Sequence, residues 1–230
     1  MGNEIVKKEE NQFVANASMT DLQEEMAGLS ITFEKIKVPS GGGLAFEVPG
    51  ENPDEPDLQK EIKAVILHHH PMLSYYKEKY TGGSEAPDCS SIDGLNGIVR
   101  ETGEVKQCNH CPFNQFNSGE NGGKACKTKR RIFILRENQA FPTILTLPTA
   151  SMKEFSRYIF NLIGKNRKSN QVVTKFSLKK ETNKTGITFS KVMLTYERDL
   201  QENELANVQK MTDQVKAMST TLQDNFDSEE

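Results

Sequence analysis

All four cysteines of the 230-residue chain lie in one stretch, as Cys89, Cys108-Asn109-His110-Cys111 and Cys126. A Cys-x-x-Cys turn lets two thiolates converge on one ion, and two distant cysteines can complete a tetrahedron. That is the donor set of a structural zinc, with Zn–S distances of about 2.3 Å. The residues between them build little core: Asn109, Asn114, Asn117, Ser118, Gly119, Gly122 and Gly123 are turn formers. Such a segment buries too little apolar surface to order itself, and metal binding can supply the missing folding free energy. The spacing therefore predicts Zn2+ held by Cys89, Cys108, Cys111 and Cys126. Two disulfides or free thiols are the alternative. The charged N-terminus lacks an apolar signal core, and no apolar run approaches the roughly 20 residues of a membrane span. A cytoplasmic location is expected, where disulfides are rare.

The cysteines sit within a longer interruption. Residues 1–29 read as a flexible lead with a short helix near 20–26. Apolar and polar residues mix over 31–38, and Gly41-Gly42-Gly43 predicts a turn into a partner strand at 44–48. After the acidic, Pro-containing loop 51–57, residues 62–70 read as a buried strand stopped by Pro71. Residues 71–128 form the zinc-binding insert. Beyond it come a hairpin (130–136 with 141–147), a helix opened by the Ser151/Glu154 capping-box pattern, and a second hairpin (172–180 with 186–196). A bulge near Ser190-Lys191 is expected, because the apolar parity changes there. The helical stripe Met152, Phe155, Tyr158, Ile159, Leu162 and Ile163 reads as core, with Gly164 closing the helix. A last helix at 199–222, with Asp199/Glu202 as its cap, carries a narrow seam through Leu205, Val208, Met211 and Val215. That seam could dock on the body or pair with a second copy. An acidic tail, 223–230, follows.

Charge is segregated along this plan. The net is −3 overall, but residues 1–126 carry −9, residues 127–198 carry +12 and residues 199–230 carry −6. A basic middle between acidic ends suggests a polyanionic partner for the middle.

The element order predicts an α+β, mainly β fold. The core domain, 30–198, reads as an OB-like curved sheet or barrel interrupted by the insert and followed by the helix and tail. Such barrels bind single-stranded nucleic acid with cations along the phosphates and aromatic faces against the bases. Candidate cations are Lys127, Lys129, Arg130, Arg131, Arg136, Lys175, Lys179, Lys180 and Lys191. Candidate stacking rings are Tyr75, Tyr76, Tyr80, Phe113 and Phe116, all in or beside the insert.

With its four cysteines, basic section and acidic tail carrying Phe226, the chain resembles phage-type single-stranded-DNA-binding proteins. The stretches Cys108-Asn-His-Cys-Pro-Phe-Asn-Gln-Phe116 and Gly123-Lys-Ala-Cys-Lys127 also look like proteins of phages and mobile elements. The resemblance implies a non-catalytic protein that protects or organises single-stranded DNA during replication or recombination. It further implies a tail that regulates binding and recruits replication or recombination proteins. The departure is that the family's zinc site uses three Cys and one His, whereas four Cys are present here.

Enzyme signatures are missing. His68-His69-His70 alternate faces on a strand, so three in a row rarely share an ion. No His-Glu-x-x-His, deaminase, Walker or Rossmann pattern occurs. Asp88 and Asp93 alone do not make a two-metal nuclease. A zinc-ribbon adaptor for protein partners is the main alternative. A metal-dependent nucleic-acid enzyme comes after it.

Overall fold

Ile62 and Ala64 to Leu67 lie at the centre of the fold and are all buried; only Lys63, between them, is exposed. The computed structural model describes residues 13, 21, 24–29, 32–52, 55–78, 86–183 and 186–219. Among these the strands are β1 (Lys35–Ile36), β2 (Phe46–Val48), β3 (Asp57–Gln59), β4 (Glu61–Tyr75), β5 (Cys89–Ser91), β6 (Asn96–Val99), β7 (Val105–Gln107), β8 (Lys127–Arg136), β9 (Thr143–Leu147), β10 (Val172–Thr182) and β11 (Thr188–Asp199). The helices are α1 (Met152–Gly164) and α2 (Glu202–Ser219). The fold is α+β and mainly β, with a large mixed sheet and a C-terminal helix.

The main sheet runs β1-β9-β8-β4 and then forks. The first half of β4 pairs with β10, which pairs in turn with β11, whereas Leu73 to Tyr75 pair with β5 and lead to β6 and β7. Between the two branches, residues 66–72 of β4 pair with β8 alone. This explains why Pro71 does not stop the strand. A residue without an N–H is tolerated where one side has no ladder. The turn at Gly94, whose φ is +74°, packs directly on the Pro71 ring.

Helices cover both faces of the β10 side of the fork. Ile62, Ala64, Ile66, Ile132, Ile134 and Phe176 pack under Phe155, Tyr158 and Leu162 of α1. Val65, Leu67, Phe133, Leu135 and Val173 pack under Val208, Met211 and Val215 of α2. The apolar seam of α2 is therefore spent on the body rather than left for a second copy. The sheet path is open, and no closed barrel occurs among the described residues.

Several local expectations are corrected. The 31–38/44–48 hairpin is reduced to one bridge, Lys37 with Glu47. β1 instead runs parallel to β9, and β2 pairs with β3. Ser151 makes no capping bond; its Oγ accepts from the Val192 N–H at 2.9 Å, tying α1 to the β11 edge. Its partner Glu154 is buried and pairs with Lys191 at 3.0 Å and with Arg157. The bulge of the last hairpin falls at Glu197, not near Ser190, and another at Leu67 displaces β4 against β8. Helix α1 ends at Gly164 as expected, but the left-handed residue that turns the chain after it is Asn166, at φ 57°, and not the glycine. Ile163, expected in the core, is exposed. The cap of α2 slips by two residues: Glu204, not Glu202, reaches back to the Gln201 N–H at 2.8 Å, and Asp199 takes Arg167 instead.

The first 29 residues are not all loose lead. Phe13 is 2% exposed within the α2-side core, and its N–H donates to Glu204 Oε1 at 3.2 Å. No helix among the described residues is long and apolar enough to cross a membrane.

Candidate nucleic-acid surface and thiol pocket

The fork in β4 carries the insert. Tyr75, the last residue of β4, lies opposite Cys89, so the first cysteine is fixed by strand pairing. Cys108 is placed by its N–H to Leu95 O at 2.8 Å, and Cys111 follows through a turn. Cys126 donates its N–H to Phe113 O at 2.8 Å and leads directly into β8. The turn formers between them act through hydrogen bonds rather than burial. Asn114 Nδ2 donates to Cys108 O at 2.8 Å and Gln115 Nε2 to Asn109 O at 3.0 Å. Ser118 Oγ donates to Phe113 O and accepts from the Ala125 N–H. Asn117 occupies the left-handed region at φ 69°, and a side chain at Gly119 would collide with the Ala125 backbone nitrogen at 2.7 Å.

All four cysteines are free thiols, and all four line one cavity of about 120 Å³ together with Leu73, Tyr75 and Phe113. Gly97 forms part of its wall. A Cβ there would stand 3.1 Å from Cys89 Sγ and 3.3 Å from Cys108 Sγ. The thiols sense one another. Burial, with Cys108, Cys111 and Cys89 nearby, pushes Cys126 up to about 12. Burial, then Cys108 and Cys111, raises Cys89; burial also raises Cys108 against a hydrogen bond from Ser91. Donor type and shared cavity fit a thiophilic cation. Among the described residues, however, no three His, Cys, Asp or Glu side chains stand close enough to hold an ion as they are.

Two aromatic surfaces flank this pocket. Tyr75 stacks on Phe113, with ring centroids 4.3 Å apart and planes 15° from parallel, leaving Phe113 43% exposed. Phe116 is 74% exposed, with the Lys124 ammonium 5.2 Å from its ring centroid. Tyr76 is half-buried, and Tyr80 lies outside the described residues.

The nine candidate cations do not form one patch. Lys127 is exposed and donates to Lys124 O, and Lys129 follows it, half-buried, on β8. Arg130 turns to the α1 face, where its guanidinium covers the Phe155 ring at 5.1 Å and donates to His69 Nδ1. Arg131 is buried, and Arg136 is half-buried with its charge disfavoured by desolvation. Lys175 and Lys179 pair with Glu61 and Glu181, while Lys180 is exposed on the distal hairpin. Lys191 is only 14% exposed and lies between Glu154 and Glu181. Of the cations, Lys124 lies over the Phe116 ring, Lys127 bonds to the Lys124 carbonyl, and Lys77 and Lys106 line the same cavity as Tyr75 and Phe113. Lys124 was recoverable from the sequence through its place two residues before Cys126. Gly97 gave no sequence signal, since its role depends on two sulfurs brought in from elsewhere.

The histidines divide as strand geometry requires. His68 and His70 lie against Phe133, and His69 lies edge-on to Phe155. Burial lowers both His68 and His69 to about 4, so both are neutral at pH 7. Asp93 closes a turn, accepting from Ser91 Oγ and the Leu95 and Asn96 N–H groups.

Comparison with protein-family models, curated proteins and solved structures found no match.

Proposed function

We propose that this protein binds single-stranded DNA without catalysis, using the insert and the adjoining end of β8 as its contact surface. The observation that carries the reading is the exposed Phe113 and Phe116 beside Lys124 and Lys127, on the side of the sheet fork that neither helix covers. Flat rings next to ammonium groups suit unstacked bases and their phosphates. The OB-like character of the sheet belongs to this proposal. An open, forked sheet can serve the same role, because the rings lie on the insert and not on a barrel wall. The proposed setting is phage or mobile-element replication or recombination in the cytoplasm, with the tail at 223–230 recruiting partner proteins.

Zinc is the proposed cofactor. Cys89, Cys108, Cys111 and Cys126 would hold it, and its chemistry there would be structural, drawing the turns between Cys108 and Cys126 and the β5–β7 branch onto one point. Gly97→Ala tests this without removing a donor. The added methyl crowds two sulfurs at once, so zinc affinity should fall about tenfold, read by competition with a chromogenic chelator. Unchanged affinity would show that the four thiols do not act together.

Binding itself is tested by fluorescence titration with single- and double-stranded DNA and RNA at two salt concentrations. Single-stranded DNA should bind with little sequence preference. Its affinity should fall about tenfold or more between about 50 and 200 mM salt, as expected for release of a few counterions. Failure to bind any oligonucleotide at low salt would refute the reading. The adaptor alternative has its own observation: Leu95, Ile98 and Val105 are exposed together on the β6–β7 hairpin and its approach. Retention of zinc without oligonucleotide binding would favour it.

A further inference from the structure

The aromatic surface and the thiol pocket are mechanically one object. Tyr75 lies opposite Cys89 in the β4–β5 pair, and its carbonyl accepts from the Asp88 N–H at 2.9 Å. Phe113 follows Cys111 by two residues, and its carbonyl accepts from the Cys126 N–H at 2.8 Å. Each ring of the stack is thus held by backbone within two residues of a cysteine. Both rings also line the thiol cavity. Whatever displaces the sulfurs must also displace the stack. The pocket is open to small reagents, since Cys89 and Cys111 are only partly buried.

We propose that the four-thiol pocket is a site of reversible oxidation, through which hydroperoxides release the bound cation and disassemble the Tyr75–Phe113 surface. The inference rests on the zinc and single-stranded-DNA readings above. Each oxidative step balances. Two thiolates lose two electrons and form one S–S bond. The O–O bond of hydrogen peroxide breaks, and its oxygens leave as two waters after taking up two protons. A cation that loses two of four thiolates is held too weakly to stay. A thiol reductant reverses the step, and the pocket then reloads.

The test uses the full chain loaded with zinc. Hydrogen peroxide is added in steps, and three readouts are followed: zinc released to a chromogenic chelator, free thiols, and affinity for a fluorescent single-stranded oligonucleotide. Zinc release, loss of four thiols and an affinity loss of about tenfold should coincide, and dithiothreitol with added zinc should restore all three. Restoration separates this from methionine oxidation, which dithiothreitol does not reverse. Zinc release with unchanged affinity would overturn the coupling while leaving DNA binding intact. Lack of zinc release at full thiol loss would overturn the release of the cation by oxidation. A protein that binds no oligonucleotide before peroxide is added would instead refute the DNA-binding reading itself.

Discussion

Replacing Phe113 and Phe116 together by alanine is expected to weaken single-stranded-DNA binding by about thirtyfold or more, roughly 2–6 kcal/mol at about 1–3 kcal/mol per stacked base. Phe116 is 74% exposed and contributes little to folding, so its removal reports on binding almost alone. Phe113 also stacks on Tyr75, and losing that contact costs about 1 kcal/mol locally. Zinc content and far-UV circular dichroism should stay unchanged in the double variant, which separates a lost contact from a lost fold. Phe160→Ala supplies the control, because Phe160 is equally exposed, at 78%, but sits on α1. Equal affinities for the double variant and the parent, by fluorescence anisotropy at low salt, would remove the insert from the DNA-binding surface.

How far the sequence disclosed this arrangement depended on whether the signal was local. The grouping of Cys89, Cys108, Cys111 and Cys126 was legible from spacing, and all four do line one cavity. The apolar faces of β4, β8, β10 and α1 were legible from period, apart from Ile163, because each face is written within one element. What failed was pairing at a distance. Residues 31–38 and 44–48 looked like a hairpin because Gly41-Gly42-Gly43 can turn a chain. Yet Ile36 is buried more effectively beside Leu145 of β9, a partner about a hundred residues away. The capping boxes failed for a related reason. Ser151 and Glu154 have the right spacing, but the β11 edge competes for both, through the Val192 N–H and the Lys191 ammonium.

Charge was the least transferable signal. The +12 of residues 127–198 pointed to one cationic groove, but strands alternate faces, so Arg130 and Arg131 cannot share one. Lys191, Lys175 and Lys179 were then drawn into ion pairs by acidic residues close in space. Net charge suggested a partner class but located no surface for it. On the proposed reading, the rings of the insert narrow that surface to a few lysines.

Phe13→Ala is expected to destabilise the fold by about 3 kcal/mol, the usual scale for emptying a buried Phe site. Little in the sequence around residue 13 announces a core position, since Phe13-Val14-Ala15 is a short apolar run in a polar lead. The structure gives the ring two attachments. It lies 2% exposed in the cluster containing Val208, Met211 and Leu200, and the Arg198 guanidinium covers it at 5.6 Å. Its N–H and Arg198 share one acceptor, Glu204, which Arg198 grips with both terminal nitrogens at 2.8 and 2.9 Å. Burial works against the Glu204 charge, but Arg198 and the Gln201 and Phe13 N–H groups outweigh it and hold the carboxyl below its usual range. Glu204→Gln should therefore cost about 2 kcal/mol at neutral pH, from a partly exposed ion pair and its charged hydrogen bonds. The two changes share partners, so the double variant should lose less than the sum of the singles.

Acid should lower stability in two windows, only the lower of which belongs to these contacts. His68 and His69, near 4 when folded, take up protons first in the unfolded chain. Stability therefore declines as pH falls from about 6.5, the unfolded histidine value, toward 4. The Glu204 contribution is complete above about 4.3, the unfolded value, and is lost as pH falls through its depressed folded value. Glu204→Gln should flatten only the lower window. Urea unfolding of parent and variants at pH 7, 5, 4 and about 3 covers both windows. A Phe13→Ala midpoint indistinguishable from the parent would mean that this residue does not hold α2 to the sheet in solution.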